Sequence, residues 1–203
     1  GTFNNTSSGV ITPVCSDIHN FSGAIFNNYG RIEIDFDAGF NNEGTFNNYG
    51  VINITSEFIY GFNNSGTLIN AGTLKIIHPD AMSNNSGLIT GSGTYFQTGG
   101  TSDNTGSISQ ESIEIQGGIF NQQSGSLSAT SIANNGAFNF TGGTLSADSF
   151  TNTGLFQGAG TIAAETFTNA GTLAPGNSPG MLTMEGNYIQ TTGGVLAIEL
   201  ASA

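Results

Sequence analysis

Apolar residues alternate with polar residues along most of the chain, and glycines interrupt the alternation at short intervals. A recurring phrase is Asn, any residue, Gly, any residue, apolar residue, which is typical of a turn that leads into a strand. Good helix formers are scarce, and the apolar positions do not follow helical spacing. The pattern therefore predicts an all-β chain of short strands.

Two series of glycines run through the sequence, and nearly every one is followed two residues later by an apolar residue. The first series is Gly1/Phe3, Gly23/Ile25, Gly44/Phe46, Gly66/Leu68, Gly87/Ile89, Gly118/Phe120, Gly136/Phe138, Gly154/Phe156 and Gly171/Leu173. The second series is Gly9/Ile11, Gly30/Ile32, Gly50/Ile52, Gly72/Leu74, Gly93/Tyr95, Gly106/Ile108, Gly125/Leu127, Gly143/Leu145 and Gly160/Ile162. Gly100 fits the first series, but the polar Ser102 follows it. We expect the apolar members of each series to stack in a core.

The spacing of the glycines indicates a repeat protein. Further apolar residues lie four positions before the first-series glycines, as at Phe150 and Phe167, and indicate three short strands per coil. An identical turn phrase in each repeat makes a strand pair in parallel with its counterpart one coil away. The predicted fold is a parallel β-solenoid, with right-handed β-helical coiling expected, of about ten coils of 17–22 residues. Within one continuous domain, residues 1–89 form longer coils, 90–106 an irregular coil and 107–203 shorter coils.

An amide side chain usually lies two residues before the glycine. These positions are Asn28, Asn42, Asn48, Asn64, Asn70, Asn85, Asn104, Asn134, Asn152 and Asn169, with Gln116 and Gln123 as substitutes. In a stack, such amides bond to one another and to turn backbone. We interpret them as a structural ladder, and ligand recognition by these amides is the alternative.

The charge balance excludes one class of partner. The chain has 14 acidic and 2 basic residues, Arg31 and Lys75, and a net charge of -12. Nucleic-acid binding is excluded because no basic patch exists to contact phosphates. No apolar run reaches the length needed to cross a bilayer, so we expect no membrane insertion. Cys15 is the single cysteine and cannot form an internal disulfide.

The acidic residues fall into two predicted outward columns. Glu33, Asp35 and Asp37 alternate on one face with Glu43 nearby, and calcium binding is the alternative to a solvated face there. Glu33, Asn53 and Lys75 are expected to share one column. The second column is Glu111, Thr130, Asp148 and Glu165.

Catalytic constellations are not evident. His19 and His78 have no His, Cys or carboxylate partner at ligand spacing, and Cys15 has no activating neighbour. We therefore expect no catalytic, cofactor-binding or metal-binding residues. A carboxylate pair, Asp148 with Glu165, leaves a polysaccharide-active enzyme as an alternative. A hydroxyl face that binds glycan or ice is a further alternative, formed by Ser107/Ser109, Ser126/Ser128 and Thr144/Ser146.

One segment near the end carries a resemblance. It comprises Asn169-Ala-Gly-Thr-Leu-Ala-Pro-Gly-Asn-Ser-Pro-Gly180, then Met181-Leu-Thr-Met-Glu-Gly-Asn-Tyr-Ile-Gln190 and Gly194-Val-Leu-Ala-Ile-Glu-Leu200. It resembles the C-terminal part of autotransporter-type β-helical passengers and related bacterial surface proteins, and Pro175 with Pro179 is expected to form a rigid turn between two coil geometries. The chain has neither a signal peptide nor a membrane barrel segment, so we expect it to be a fragment or a processed region.

The resemblance implies an extracellular protein of a bacterial cell surface. We expect a structural or adhesive module, a stalk or passenger region, that contacts host, cell-surface or matrix components. The alternative is a filament subunit that stacks end to end on itself, since the ends of a solenoid are strand edges.

Overall fold

A computed structural model describes residues 1–35, 37–56, 61–176 and 180–198 of the chain. Over these ranges the protein consists of strands and turns, without a helix. The first five coils contain β1 (Thr2–Asn5), β2 (Val10–Ile11), β3 (Ile18–Asn20), β4 (Ile25–Asn28), β5 (Arg31–Ile34), β6 (Phe40–Asn42), β7 (Thr45–Asn48), β8 (Val51–Ile54), β9 (Phe62–Asn64), β10 (Thr67–Asn70), β11 (Thr73–Ile76), β12 (Met82–Asn85), β13 (Leu88–Thr90), β14 (Thr94–Gln97) and β15 (Thr101–Asn104). The later coils contain β16 (Ser107–Ile115), β17 (Ile119–Gln122), β18 (Ser126–Asn134), β19 (Ala137–Phe140), β20 (Thr144–Asn152), β21 (Leu155–Gly158), β22 (Gly160–Asn169), β23 (Thr172–Pro175), β24 (Leu182–Gln190) and β25 (Val195–Leu196).

These strands stack in three columns, and each pairs in parallel with its counterpart one coil away. The first column is β1, β4, β7, β10 and β13, followed by the first halves of β16, β18, β20, β22 and β24. The second column is β2, β5, β8, β11 and β14, followed by the second halves of the same long strands. The third is a separate 10-stranded sheet of β3, β6, β9, β12, β15, β17, β19, β21, β23 and β25. The predicted parallel β-solenoid of about ten coils is confirmed.

The coils shorten toward the C-terminal side. Stacked residues lie 23 positions apart between Asn5 and Asn28, and 17 apart between Asn152 and Asn169. The first coil is thus slightly longer than the predicted range. The predicted turn between Pro175 and Pro179 falls partly on residues 177–179, which lie outside the described ranges, as do residues 199 and 200 of the resembling segment.

The main change along the solenoid is the loss of one corner. In the early coils a glycine such as Gly50 follows the first-column strand, where a Cβ atom would lie 1.9 Å from the Gly30 carbonyl oxygen. Only a residue without a side chain permits this close approach. In the sixth coil the corresponding stretch is Gln110-Glu111-Ser112, and β16 runs straight through it. The first and second columns therefore merge into one nine-residue strand.

Loss of this corner explains why the two glycine series do not each follow one column. The first series passes from the first column at Ile89 to the third column at Phe120, and the second series passes from the second column to the first. The expectation that each series stacks throughout is wrong for this reason. Within residues 90–106, β14 and β15 are both in register with the coils on either side.

Inward side chains of the three columns form one continuous core of Phe, Ile and Leu. Aromatic rings stack from coil to coil, for example Phe150 on Phe167 with centroids 4.7 Å apart. Ile25 is an exception to the predicted core, since it is 41% exposed and Phe26 points inward instead. The turn before β4 is longer than its neighbours, which displaces the expected position of the inward residue.

Tyr95 occupies a core position that smaller side chains make room for. Its hydroxyl donates to Ser102 Oγ at 2.7 Å and lies 3.4 Å from Ser83 Oγ. These serines are buried at third-column positions that hold Phe62 and Phe120 in adjoining coils. Burial raises the pKa of the Tyr95 phenol, while its hydrogen bonds to Ser102 and Ser83 act in the opposite direction. Ser102, the polar exception in the glycine series, thus partners a buried phenol.

Buried amides form three inner ladders along the solenoid. In each ladder the side-chain NH₂ group donates to the side-chain oxygen of the next coil, at 2.7 to 3.1 Å. The ladders are Asn5, Asn28, Asn48 and Asn70; Asn20, Asn42, Asn64, Asn85, Asn104 and Gln122; and Asn134, Asn152, Asn169 and Gln190. Most of these amides also donate to a turn carbonyl, as Asn48 does to Gly50 O at 3.3 Å. The predicted hydrogen bonding of the amides is confirmed for the asparagines.

The two glutamines predicted as substitutes are not members of these ladders. Gln116 and Gln123 are exposed, and the corresponding inward positions hold Ile115 and Gln122. An extra turn residue before Gly125 moves the inward amide from position 123 to 122. Because Ile115 cannot donate, the buried Oδ1 atom of Asn134 has no hydrogen-bond partner among the described residues.

Candidate functional site

A second set of amides faces outward on the third sheet. Several outward polar residues of this sheet bond to their counterparts in the preceding coil. One run links Asn84 to Asn63 and Asn63 to Asn41, and a second links Gln157, Asn139, Asn121 and Asp103. These residues form the outer amide ladder, which the sequence reasoning missed. The signal was the amide that directly follows an inward residue of a third-column strand, as in Phe62-Asn63 and Phe138-Asn139, since alternate residues of a strand face opposite sides.

Asp103 separates the two runs of the outer ladder. Asn121 Nδ2 donates to Asp103 Oδ1 at 2.6 Å. A carboxylate has no hydrogen to donate to the preceding Asn84, so the second run begins at this residue. Among the described residues, Gln157 accepts no bond from a following coil, since Ala174 stands at that position. The second run is therefore a short polar strip with a defined start and end.

A groove runs beside this second run, and we call it the amide groove. Its volume is about 710 Å³. One wall is formed by the ladder residues Asn121, Asn139 and Gln157, and the other by Gln123 and Thr141 of the turns. Ala174, Pro175 and Ile198 close it on the C-terminal side. None of the described side chains that line the groove is charged.

A second groove lies where the two halves of the long strands meet, and we call it the serine–acid groove. It has a volume of about 600 Å³ and is lined by Ser109, Ser128, Ser146, Asp148 and Glu165, with Glu185 beside them. The predicted column of Glu111, Thr130, Asp148 and Glu165 is in register, since the residues on either side of each pair up. Asp148 and Glu165 are exposed, so the groove places hydroxyl groups beside carboxylates in water.

The acidic face of the early coils is held by neighbouring side chains. Glu33 accepts hydrogen bonds from Arg31 and from Asn53 Nδ2, the latter at 2.8 Å. The predicted column of Glu33, Asn53 and Lys75 is confirmed by the register. Over the described residues no three His, Cys, Asp or Glu side chains come together as a metal site. The calcium alternative at Glu33, Asp35 and Asp37 gains no ligand cluster from this arrangement.

The two histidines each lie near a carboxylate, contrary to the expectation that they lack one. His19 Nε2 is 3.5 Å from Glu43 Oε1, and its ring stacks on Phe21. His78 Nδ1 lies 4.0 Å from Asp80 Oδ2 and accepts the backbone N–H of Asp80. Sequence spacing missed the first contact because Glu43 belongs to the following coil. Each of these contacts joins one histidine to one carboxylate, which is fewer than the three ligands of a typical metal site.

The remaining candidate groups stand apart from both grooves. Lys75 lies over the Phe96 ring, 5.7 Å from its centroid, and Cys15 is exposed. Within the parts of the chain that are described, no helix is long and apolar enough to span a bilayer. Both grooves offer a concave set of polar groups, and a smaller depression of about 440 Å³ lined by Thr90, Ser92 and Glu111 lies beside the serine–acid groove.

Comparison with known proteins does not place the chain in a family: no family model, curated protein or solved structure matches it.

Proposed function

We propose that the chain is a structural and adhesive β-solenoid module of a protein exposed on a bacterial cell surface. The observation that carries the proposal is the repetition of uncharged amide and hydroxyl groups at the same outward positions of successive coils. Such a surface offers many equivalent weak contacts along a rod, which together hold a partner more strongly than one contact does.

Two properties of the sequence support an extracellular setting. The segment from Asn169 to Leu200 resembles autotransporter-type passengers, and the chain relies on stacked coils and amide ladders without a disulfide. The partners in this proposal are components of a host surface, a cell surface or a matrix. The module performs no chemical step on them.

Location and adhesion are tested separately. Antibodies against the chain should label intact cells that produce the protein as strongly as permeabilised cells. Beads coated with the purified chain should be retained on matrix or cell layers better than beads coated with an unrelated acidic protein. Labelling only after permeabilisation, or equal retention of both beads, would contradict the proposal.

Imaging and an activity assay test the two alternatives. Electron microscopy of the purified chain should show single rods about 50 Å long, given a rise of about 4.8 Å per coil. Long fibres would instead favour the filament subunit. Release of sugar products from a polysaccharide, lost in Asp148→Asn or Glu165→Gln, would replace the proposal with the enzyme.

A further inference from the structure

The amide groove combines hydrogen-bonding groups that are aligned but not fully used. Asn139 Nδ2 donates to Asn121 Oδ1 at 2.7 Å, and Gln157 Nε2 donates to Asn139 Oδ1 at 2.8 Å. A primary amide has two N–H donors and an oxygen with two lone pairs. Each ladder bond uses one donor and one lone pair, so each amide keeps capacity for a ligand. The ladder also fixes the side-chain rotamers, which lowers the entropy lost on binding.

Apolar surface lies directly next to these amides. The outward residues two positions before Asn121 and Gln157 are Ile119, which is 41% exposed, and Leu155, which is partly exposed. Pro175 and Ile198 add apolar surface on the C-terminal side of the groove. Sites for small organic ligands typically combine apolar surface with a few well-placed polar groups. The groove offers both along the rod axis.

Charge restricts the class of ligand. The described side chains that line the groove are neutral, while the chain as a whole carries a net charge of -12. The surrounding field repels acidic polymers at low ionic strength. The negative field does not weaken the binding of a neutral molecule. Its hydroxyl groups can both donate hydrogen bonds to the amides and accept hydrogen bonds from them.

We propose that the amide groove binds an extended neutral polysaccharide, whose chain lies along the solenoid axis across β17, β19 and β21. The amides recur at about the 4.8 Å spacing of neighbouring strands, which is close to the length of one pyranose unit. Successive sugars thus meet successive amides, and an apolar sugar face packs on Pro175 and Ile198 at the C-terminal side of the groove. This inference rests on the proposed adhesive function and names a ligand class for it.

The test measures binding of matched neutral and charged polymers to the purified 203-residue chain. Affinity electrophoresis through gels with hydroxyethylcellulose, galactomannan or dextran should retard the protein in at least one neutral polymer. Carboxymethylcellulose and carboxymethyl dextran share backbones with two of these polymers but carry negative charge, and they should cause no retardation at low salt. Raising the salt concentration should leave binding to the neutral polymer unchanged.

Variants locate the binding site. Asn139→Ala combined with Gln157→Ala should weaken binding of the retarding polymer at least tenfold. The matched control is Ser131→Ala with Ser149→Ala, which changes two paired positions of β18 and β20 that line neither groove and should leave binding unchanged. Gln157→Ala alone is a second variant, because Gln157 accepts no ladder bond and its removal leaves no ladder donor unpaired. Its expected loss is severalfold, with an unchanged denaturation midpoint.

Three outcomes would overturn this inference. They are the absence of retardation in every neutral polymer, equal binding by the amide variants and the wild type, and tighter binding to the carboxymethyl polymers. Failure here can be told apart from failure of the proposed function. Coated beads that still adhere while neutral polymers do not bind would leave the adhesive module in place and reject only its ligand.

Discussion

The first five coils and the later five solve the same packing problem with different backbones. In the early coils a glycine corner divides the first and second columns, whereas in the later coils one strand of nine or ten residues passes through both. The inward residues nevertheless remain in register across the change, as Tyr95 and Ile113 do. The difference shows that the core pattern defines the columns, while the corner glycine decides where a strand ends.

The change of backbone also alters how the first inner ladder ends. Asn70 Nδ2 bonds to Gln110 Oε1 at 2.6 Å, although these residues lie two coils apart. The coil between them has Gly91 at this place, where a Cβ atom would lie 2.4 Å from the Asn70 carbonyl oxygen. The longer glutamine reaches across the space that the glycine leaves. A local gap in the repeat is thus filled from the next coil.

The largest expected effect is in the aromatic core of the later coils. Phe150→Ala should lower the free energy of unfolding by about 3–5 kcal/mol, because it opens a cavity beside Phe167. The early coils have Ile52 in the same column, and Ile52→Val should cost only about 0.5–1.5 kcal/mol. Chemical denaturation measures both. Asp148→Ala is the control at an outward position, and its free energy of unfolding should stay within about 0.5 kcal/mol of wild type. Equal shifts for Phe150→Ala and Asp148→Ala would refute the assigned register.

The next effect concerns the corner itself. Gly50→Ala should destabilise the protein by about 1–3 kcal/mol or more, because the new Cβ atom meets the backbone of Gly30. Glu111→Ala changes the corresponding position in the merged strand and should be nearly neutral, since Glu111 is exposed. Denaturation midpoints of the two variants give the comparison. Similar tolerance at both sites would mean that the corner does not require glycine.

A smaller effect is expected from breaking the inner ladder. Asn48→Ala removes the acceptor of Asn28 and the donor to Asn70, and should cost about 1–3 kcal/mol because buried polar groups lose partners. Gln110→Ala should cost about 1 kcal/mol, since Asn70 keeps its bond to Thr94 O. Both are measured by denaturation. If Gln110→Ala costs as much as Asn48→Ala, the bond between Asn70 and Gln110 contributes as much to stability as a regular bond of the inner ladder.

The smallest effect is expected at Tyr95, just before the change of backbone. The raised pKa of this phenol means that the unfolded state loses the proton more readily, so stability falls as the pH rises from the ordinary tyrosine value of 10.0 toward the folded-state pKa. Tyr95→Phe should cost about 1 kcal/mol at neutral pH through the lost hydrogen bond to Ser102.

The same variant should also remove this part of the alkaline loss of stability. Denaturation at neutral pH and again above pH 10.0 tests the assignment. An alkaline decline that is identical in Tyr95→Phe and wild type would assign the loss to other groups.

The repeat phrase predicted the solenoid because every coil repeats the same turn chemistry and the same alternation. It also placed Phe150 inward and Asp148 outward, as the structure has them. It did not predict the merged strands, because the replacement of the corner glycine by Glu111 is a weak signal beside the many glycines that are present. The switch of column between Ile89 and Phe120 followed from that omission.

The candidate sites were harder to predict, because each depends on contacts between coils. Asp148 and Glu165 were placed in one column, yet their position in a groove requires the bend between two halves of a strand. The contact of His19 with Glu43 joins residues in different coils. The amide groove was missed because Asn139 and Gln157 lie outside the repeated Asn-x-Gly phrase.

The opposite directions of the amide bonds give the rod a particular electrical character. In the inner ladders the NH₂ groups point toward later coils, as from Asn28 to Asn48, whereas in the outer ladder they point toward earlier coils, as from Asn139 to Asn121. Parallel sheets contribute only a small net dipole of their own. Paired asparagines therefore carry opposed dipoles on the two faces of a strand. Where such pairs occur, as at Asn63 and Asn64, the amide polarisation along the axis is reduced, which weakens the kind of end field that a helix has.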